Sequence, residues 1–229
     1  MVSCATTQML VVALSLALSA ASAAAVAPAA PTQLPPVAIA PGVLMPAVNI
    51  GHPDDNCTHG LGPGCPAAAQ KMTEMWFTLG GRGVDTAAGY QNQPQIGAAI
   101  KAAIANGTNR SSIFVTTKVN SHTCTTENTL KLIKADVAQI GVGQLDLVLQ
   151  HFPCSTGQGN QQVWLGLVKA KQAGLTRAIG VSHYNSMQLR GIMTLKQGQP
   201  AVNQCELCVG THDDDTIKFC KEKGIVYES

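Results

Sequence analysis

Aromatic and charged residues are both scarce in this chain. Phe, Trp and Tyr make up 4% of its 229 residues, and Asp, Glu, Lys and Arg 12%. So few rings cannot build a base-stacking platform for single-stranded nucleic acid. The formal net charge is +2 and no run of Lys or Arg occurs, which removes the electrostatic argument for nucleic acid or anionic membranes. Metal-ligand spacing is equally thin. Cys205-Glu206-Leu207-Cys208 is a lone CxxC, with no second CxxC or HxxxH to complete a tetrahedral site, so no metal is expected. The apolar run Met9 to Leu18 is short for a membrane anchor, so no stable membrane insertion is expected once it is removed as a leader. A small-molecule partner is the remaining default.

What is present is a globular composition, 45% hydrophobic. Residues 1–25 resemble a secretory leader: an apolar core is followed by Ala21-Ser22-Ala23, a small-x-small cleavage site. The expected destination is the secretory route or an organelle lumen, or the cytoplasm if the leader is not used. Residues 26–36 are Pro/Ala-rich and read as a linker, with the main domain at 37–229. Cys4 would leave with the leader. Of the other seven cysteines, Cys57 and Cys65 bracket a Gly/Pro-rich loop, and Cys124 and Cys154 follow two successive strands. Either pair suits a disulfide in an oxidising compartment. Asn56-Cys57-Thr58, Asn106-Gly107-Thr108 and Asn109-Arg110-Ser111 match the glycosylation pattern. Three matches among ten Asn are little above chance.

From residue 37 short apolar runs alternate with amphipathic stretches, the pattern of a parallel α/β sheet. Val37 to Pro46, around Pro41-Gly42, reads as a hairpin. Strands are expected at 47–51, 83–87, 113–119, 145–150, 178–182, 201–207 and 225–229. Helices are expected at 66–79, with Ala69, Met72, Met75 and Trp76 on one face, and at 93–105. Others follow from Thr126, with Leu130, Ile133, Val137 and Ile140 facing the core, and at 161–173, 186–194 and 215–223. Seven strands suit an incomplete (β/α)8 barrel, whose closure needs eight. The sequence stopping there reads as a truncated barrel or an open sheet.

Ionisable residues gather at the ends of three successive strands: Asp85 and Tyr90, then Lys118, then His151. Catalytic residues of a β/α barrel sit at strand C-termini. Carbonyl reduction needs a proton donor at the developing alkoxide. A phenol beside an ammonium can serve, with a carboxylate holding the ammonium and an imidazole orienting the carbonyl. Singly, each residue has a structural reading: Asp85 as a turn residue, Tyr90 as a rim aromatic, Lys118 as a solvated strand end, His151 as a buried structural imidazole. Their joint placement is what favours catalysis.

Here the chain resembles the aldo-keto reductases. Gly83-Val84-Asp85-Thr86-Ala87-Ala88-Gly89-Tyr90-Gln91-Asn92 is similar to that family's GxxxDTAxxYxNE element, and Phe114 to Val119 to its lysine strand. Leu145-Asp146-Leu147-Val148-Leu149-Gln150-His151-Phe152-Pro153, Gly180 to Asn185 and Pro200 to Glu206 match its later strands in order. The resemblance covers 37–229 and implies a TIM barrel of aldo-keto reductase type. It also implies NADPH (NADP) as cofactor and a small-molecule carbonyl substrate. Tyr90 would be the general acid, with Asp85, Lys118 and His151 completing the tetrad. Ser182, His183, Asn203 and Gln204 would hold the nicotinamide carboxamide or its surroundings. Three positions depart from the pattern: Gln93 where Glu is usual, His183 where Asn is usual, and Phe152 where Trp is commoner. The family's nicotinamide-stacking aromatic and pyrophosphate loop would fall after Ser229. The alternative reading is therefore a catalytically impaired fragment or an accessory binding protein.

Overall fold

The computed structural model describes residues 34–51 and 66–229. The leader, most of the linker and the Cys57–Cys65 loop lie outside the described residues. Leu34 to Pro36, the last of the linker, are exposed and irregular.

A hairpin comes first, β1 (Val37–Ala40) against β2 (Val43–Met45), antiparallel as Pro41-Gly42 predicts. The parallel series follows: β3 (Asn49–Gly51), α1 (Pro66–Thr78), β4 (Gly83–Asp85), α2 (Gln93–Ala105), β5 (Phe114–Val119), α3 (Thr126–Ile140) and β6 (Leu145–Gln150). It continues with α4 (Gly157–Gln172), β7 (Thr176–Ser182), α5 (Ser186–Met193), β8 (Val202–Gln204), α6 (Asp214–Lys223) and β9 (Val226–Glu228). Strands β3 to β9 pair in sequence order, every pair parallel, into one 7-stranded sheet. The sheet curls until its two edge strands meet: Asn49 Nδ2 of β3 donates to Glu228 Oε1 of β9 at 3.3 Å. This is the (β/α)8 architecture with seven strands among the described residues.

Strand alternation divides the apolar residues between two cores. Val84, Val115, Val148, Ile179 and Val181 face outward and pack under the helices with Ile96, Ile133, Trp164 and Leu167. Phe114, Leu147, Leu149, Ala178 and Val202 face inward, where Ile39, Val43 and Met45 of the hairpin plug the barrel's base. Asp146, buried at that base, accepts from Arg110 Nη2 at 3.1 Å, Arg177 Nη1 at 2.9 Å and the Val115 amide at 2.9 Å. Arg177 Nη2 also donates to the Gly42 carbonyl at 2.8 Å, fastening the hairpin turn to the strands.

Several expected boundaries and faces change. In α1, Met75 is exposed and Met72 lies at the surface, while Ala69, Thr73 and Phe77 form the buried face. The sulfur side chains occupy the neighbouring stripe, which three- and four-residue spacing does not separate from the true one. Helix α4 starts at Gly157 rather than Gln161 because Thr156 caps it, its hydroxyl accepting from the Gly159 amide at 3.0 Å. The two glycines of that first turn conceal the helix in the sequence. Strand β8 ends at Gln204, short of the expected Leu207. In α3, Leu130 and Val137 are half-buried, and Asp136 shares the buried face with Ile133 and Ile140.

Candidate active site

Inward alternation carries the candidate residues to one place. On β5, Phe114, Thr116 and Lys118 share the inward parity; on β6 and just beyond it, Leu147, Leu149 and His151; on β7, Ala178, Gly180 and Ser182; on β8, Val202 and Gln204. Asp85 ends β4, in register with Thr116. Tyr90 closes a 3-10 turn, Ala88–Tyr90, after which Gln91 takes a left-handed φ of 55°. The turn is held by Thr86 Oγ1 donating to Asn92 Oδ1 at 2.7 Å.

The four residues predicted to form a tetrad meet. Lys118 Nζ pairs with Asp85 Oδ1, and Asp85 and Lys118 are only 8% and 3% exposed. At such burial the pair persists through mutual neutralisation and its remaining hydrogen bonds. Gln204 Nε2 supplies one, donating to Asp85 Oδ2 at 2.7 Å. The Tyr90 hydroxyl lies 3.4 Å from Lys118 Nζ and 3.5 Å from His151 Nε2. Burial first, then the Lys118 ammonium and His183, push the His151 imidazole down to about 4. His151 is therefore neutral at pH 7 and can donate one N–H without carrying charge.

A cleft of about 630 Å³ opens beside Asp85, Tyr90 and Lys118 and runs along β3 and β9, lined also by Asn49, Gln204 and Glu228. Glu228 is a neighbour the sequence did not single out. Burial foremost, and then the Asp85 carboxylate, raise its carboxyl above the usual range. It closes β9 as Asp85 closes β4, but only the curl of the sheet brings those two strand ends together.

The four residues expected at the carboxamide separate into two groups. The Ser182 hydroxyl is buried and makes no hydrogen bond among the described residues, and Gln204 sits against Asp85. Asn203 has the opposite parity: its Nδ2 donates to the Tyr184 carbonyl at 2.8 Å and approaches Cys220 Sγ of α6. The fold thus sets Asn203 on the outer side of β8. His183 is exposed, with a left-handed φ of 57°, a conformation in which Asn and His are enriched. Its ring stacks on Phe152 at 4.8 Å, and Phe152 stacks on His151 at 4.3 Å. Two of the three departures from the family pattern are thus in contact, forming an imidazole–phenyl–imidazole stack at the mouth of the site. The third, Gln93, lies behind β5 and donates to Thr117 Oγ1 at 3.0 Å and Asp136 Oδ1 at 3.3 Å.

Cys124 and Cys154 form a disulfide that ties the β5–α3 loop to the β6–α4 loop beside His151. Gly159 packs against it, where a Cβ would come within 2.9 Å of Cys154 Cβ. Cys205 and Cys208 are unpaired, and no group of three metal-ligating side chains exists among the described residues. Burial raises the Cys205 thiol above its ordinary value.

A family model described as the Aldo/keto reductase family matches residues 58–227. The chain is 31% identical over 180 residues to an aldo-keto reductase of Bombyx mori, AKR2E4, covering 72% of this chain and 58% of that protein. It is 34% identical over 180 residues to an aldo-keto reductase of Mycolicibacterium vanbaalenii, covering 77% of this chain and 63% of that one. The chain therefore spans about three-fifths of the length of these relatives. The solved structure of the Bombyx mori AKR2E4 enzyme in complex with NADP superposes with a TM-score of 0.74 at 28% identity, covering 85% of this chain and 65% of that one.

Proposed function

This chain belongs to the aldo-keto reductase family, and from that premise we propose that it reduces the carbonyl of a small aldehyde or ketone to an alcohol. The reading rests on one observation: the Tyr90 hydroxyl lies within 3.4 Å of Lys118 Nζ and 3.5 Å of His151 Nε2. NADPH, when bound, supplies the hydride. A buried hydroxyl without a partner at Ser182, beside the tetrad's side of the barrel, fits a carboxamide that would satisfy it. Ser182 and Gln204 would hold that end of the cofactor, with His183 at its border.

The proton belongs to the chain's own residues. Neutral His151 donates from Nε2 to the carbonyl oxygen, fixing its position and drawing charge onto it. Tyr90 then gives its proton to the developing alkoxide. The phenolate left behind faces the buried Lys118 ammonium, whose orientation is held by Asp85, itself held by Gln204. Coulomb attraction there is several times its value in water.

The test is a titration of the purified chain with NADPH, read by energy transfer from Trp76 and Trp164, followed by single-turnover reduction of a panel of aldehydes and ketones. Saturable binding with turnover is expected. Tyr90→Phe should lower turnover by roughly 10²-fold or more while leaving NADPH affinity within a factor of about two. A folded protein with no saturable binding would favour the accessory-protein alternative, and full turnover in Tyr90→Phe would remove Tyr90 from its role.

A further inference from the structure

The loop between α2 and β5 carries two of the three glycosylation-pattern matches, Asn106-Gly107-Thr108 and Asn109-Arg110-Ser111. Sequence alone makes them unremarkable in number, but the fold sorts them. Of the nine asparagines among the described residues, Asn92, Asn160 and Asn203 are buried and Asn49, Asn120 and Asn128 are half-buried. Asn106, Asn109 and Asn185 are exposed, and the first two of these carry the pattern. None of the six shielded asparagines does.

The local chemistry leaves the reactive atom open at both positions. Asn109 Oδ1 accepts from the Ser111 amide at 3.0 Å and from Ser111 Oγ at 2.9 Å, while its Nδ2 makes no hydrogen bond among the described residues. Asn106 caps the end of α2 through its backbone N–H, and its side chain is likewise unengaged there. An N-linked sugar replaces one proton on Nδ2 and leaves Oδ1 available, so both local structures survive modification. The loop is also firmly seated: Arg110 donates to the carbonyls of Ile113 and Gln144 and to the Asp146 carboxylate. It leads into the N-terminal end of β5, whereas Lys118 and the tetrad lie at the opposite end of that strand. A bulky, solvated group at this loop stands clear of the active-site cleft. Asn106 and Thr108 line an apolar cavity of about 420 Å³ between α1 and α2, together with Phe77 and Ala99, so a sugar there would shield apolar surface from solvent. An independent feature suits the same chemistry: a disulfide such as Cys124–Cys154 persists in an oxidising compartment.

We propose that the Asn106–Ser111 loop is an N-linked glycosylation site, with Asn106 and Asn109 as acceptors. The co-reactant is a lipid-diphosphate-linked oligosaccharide. Asn Nδ2 forms a bond to the anomeric carbon, the bond from that carbon to the diphosphate oxygen breaks, the lipid diphosphate leaves and Nδ2 loses one proton. No electrons are exchanged.

The experiment uses the full chain expressed in a eukaryotic secretory host, with Asn56→Gln introduced so that the remaining pattern match is silent. Electrophoretic mobility is compared before and after peptide-N-glycosidase digestion. A digestible shift is expected, and it should be lost in the Asn106→Gln/Asn109→Gln pair. Thr108→Ala with Ser111→Ala, which keeps both asparagines, should lose it equally. Circular dichroism of these variants keeps a folding failure from imitating the loss. A chain that shows no digestible shift in the Asn56→Gln background overturns the proposal, whether it stays out of the lumen or enters it unmodified. A shift that survives both double variants overturns it as well.

Discussion

The residue that sets the pH behaviour of the proposed chemistry is His151. Its imidazole is needed neutral, and burial with the Lys118 ammonium keeps it so down to about pH 4. The acid limb of kcat/KM is therefore expected near pH 4 rather than near ~6.5, where an ordinary imidazole titrates. His183 contributes to that depression across the Phe152 ring. His183→Asn suits the left-handed backbone at this position. It should move the acid limb upward while leaving the tetrad in place, as a pH profile of kcat/KM would record. An unmoved limb would show that the stack is packing alone. The types at Asp85, Tyr90, Lys118 and His151 were legible in the sequence because each lies at or shortly beyond the C-terminal end of a strand. The stack was not, since strand order brings residues 152 and 183 only to neighbouring strand ends, and the ring contact rests on the left-handed backbone at His183.

At the scale of elements, two connections control how the strands are held. The Cys124–Cys154 disulfide closes a segment with a sequence separation of 30 residues. Replacing both cysteines by Ser should lower unfolding free energy by about 3 kcal/mol, measured by urea denaturation with and without a dithiol. Behind β5, Asp136 is buried between α2 and α3, and desolvation raises its carboxyl to about 7 despite the Gln93 hydrogen bond. In the unfolded chain that carboxyl titrates near ~3.9, so between these values the native state holds the extra proton. Stability from this group is thus highest in acid and falls as pH rises towards 7, by up to about 1.4 kcal/mol per pH unit. His151 acts in the opposite sense below ~6.5, so the measurement compares Asp136→Asn with wild type. The stability difference should shift in the variant's favour from pH 5 to pH 8 and then level off; a constant difference would mean that Asp136 titrates normally. The periodicity of α3 pointed to its apolar face but hid Asp136, because a carboxylate at a core position is the exception that burial statistics discount.

For the whole molecule, the decisive joint is the barrel's base. Asp146 pairs with both Arg110 and Arg177, and Arg177 in turn holds the hairpin turn at Gly42. Asp146→Ala removes the carboxylate partner of two guanidinium groups, which keep only carbonyl acceptors, and the acceptor of the Val115 amide. A loss of about 2–4 kcal/mol is expected, below the full cost of breaking a buried pair because Arg177 is partly solvated. The hairpin should then become the first segment cleaved in limited proteolysis. The number and order of the strands and the family they resemble were legible in the sequence, because alternation is a local property and the motifs run in chain order. Two features of the site needed the tertiary structure. The curl of the sheet brings Glu228 to the tetrad's cleft from the far end of the fold, and the pairing of β8 with β7 and β9 decides that Gln204 rather than Asn203 faces Asp85. Both depend on how distant backbones pair and twist, and a contact between strands far apart along the chain leaves no mark in the local pattern of either one.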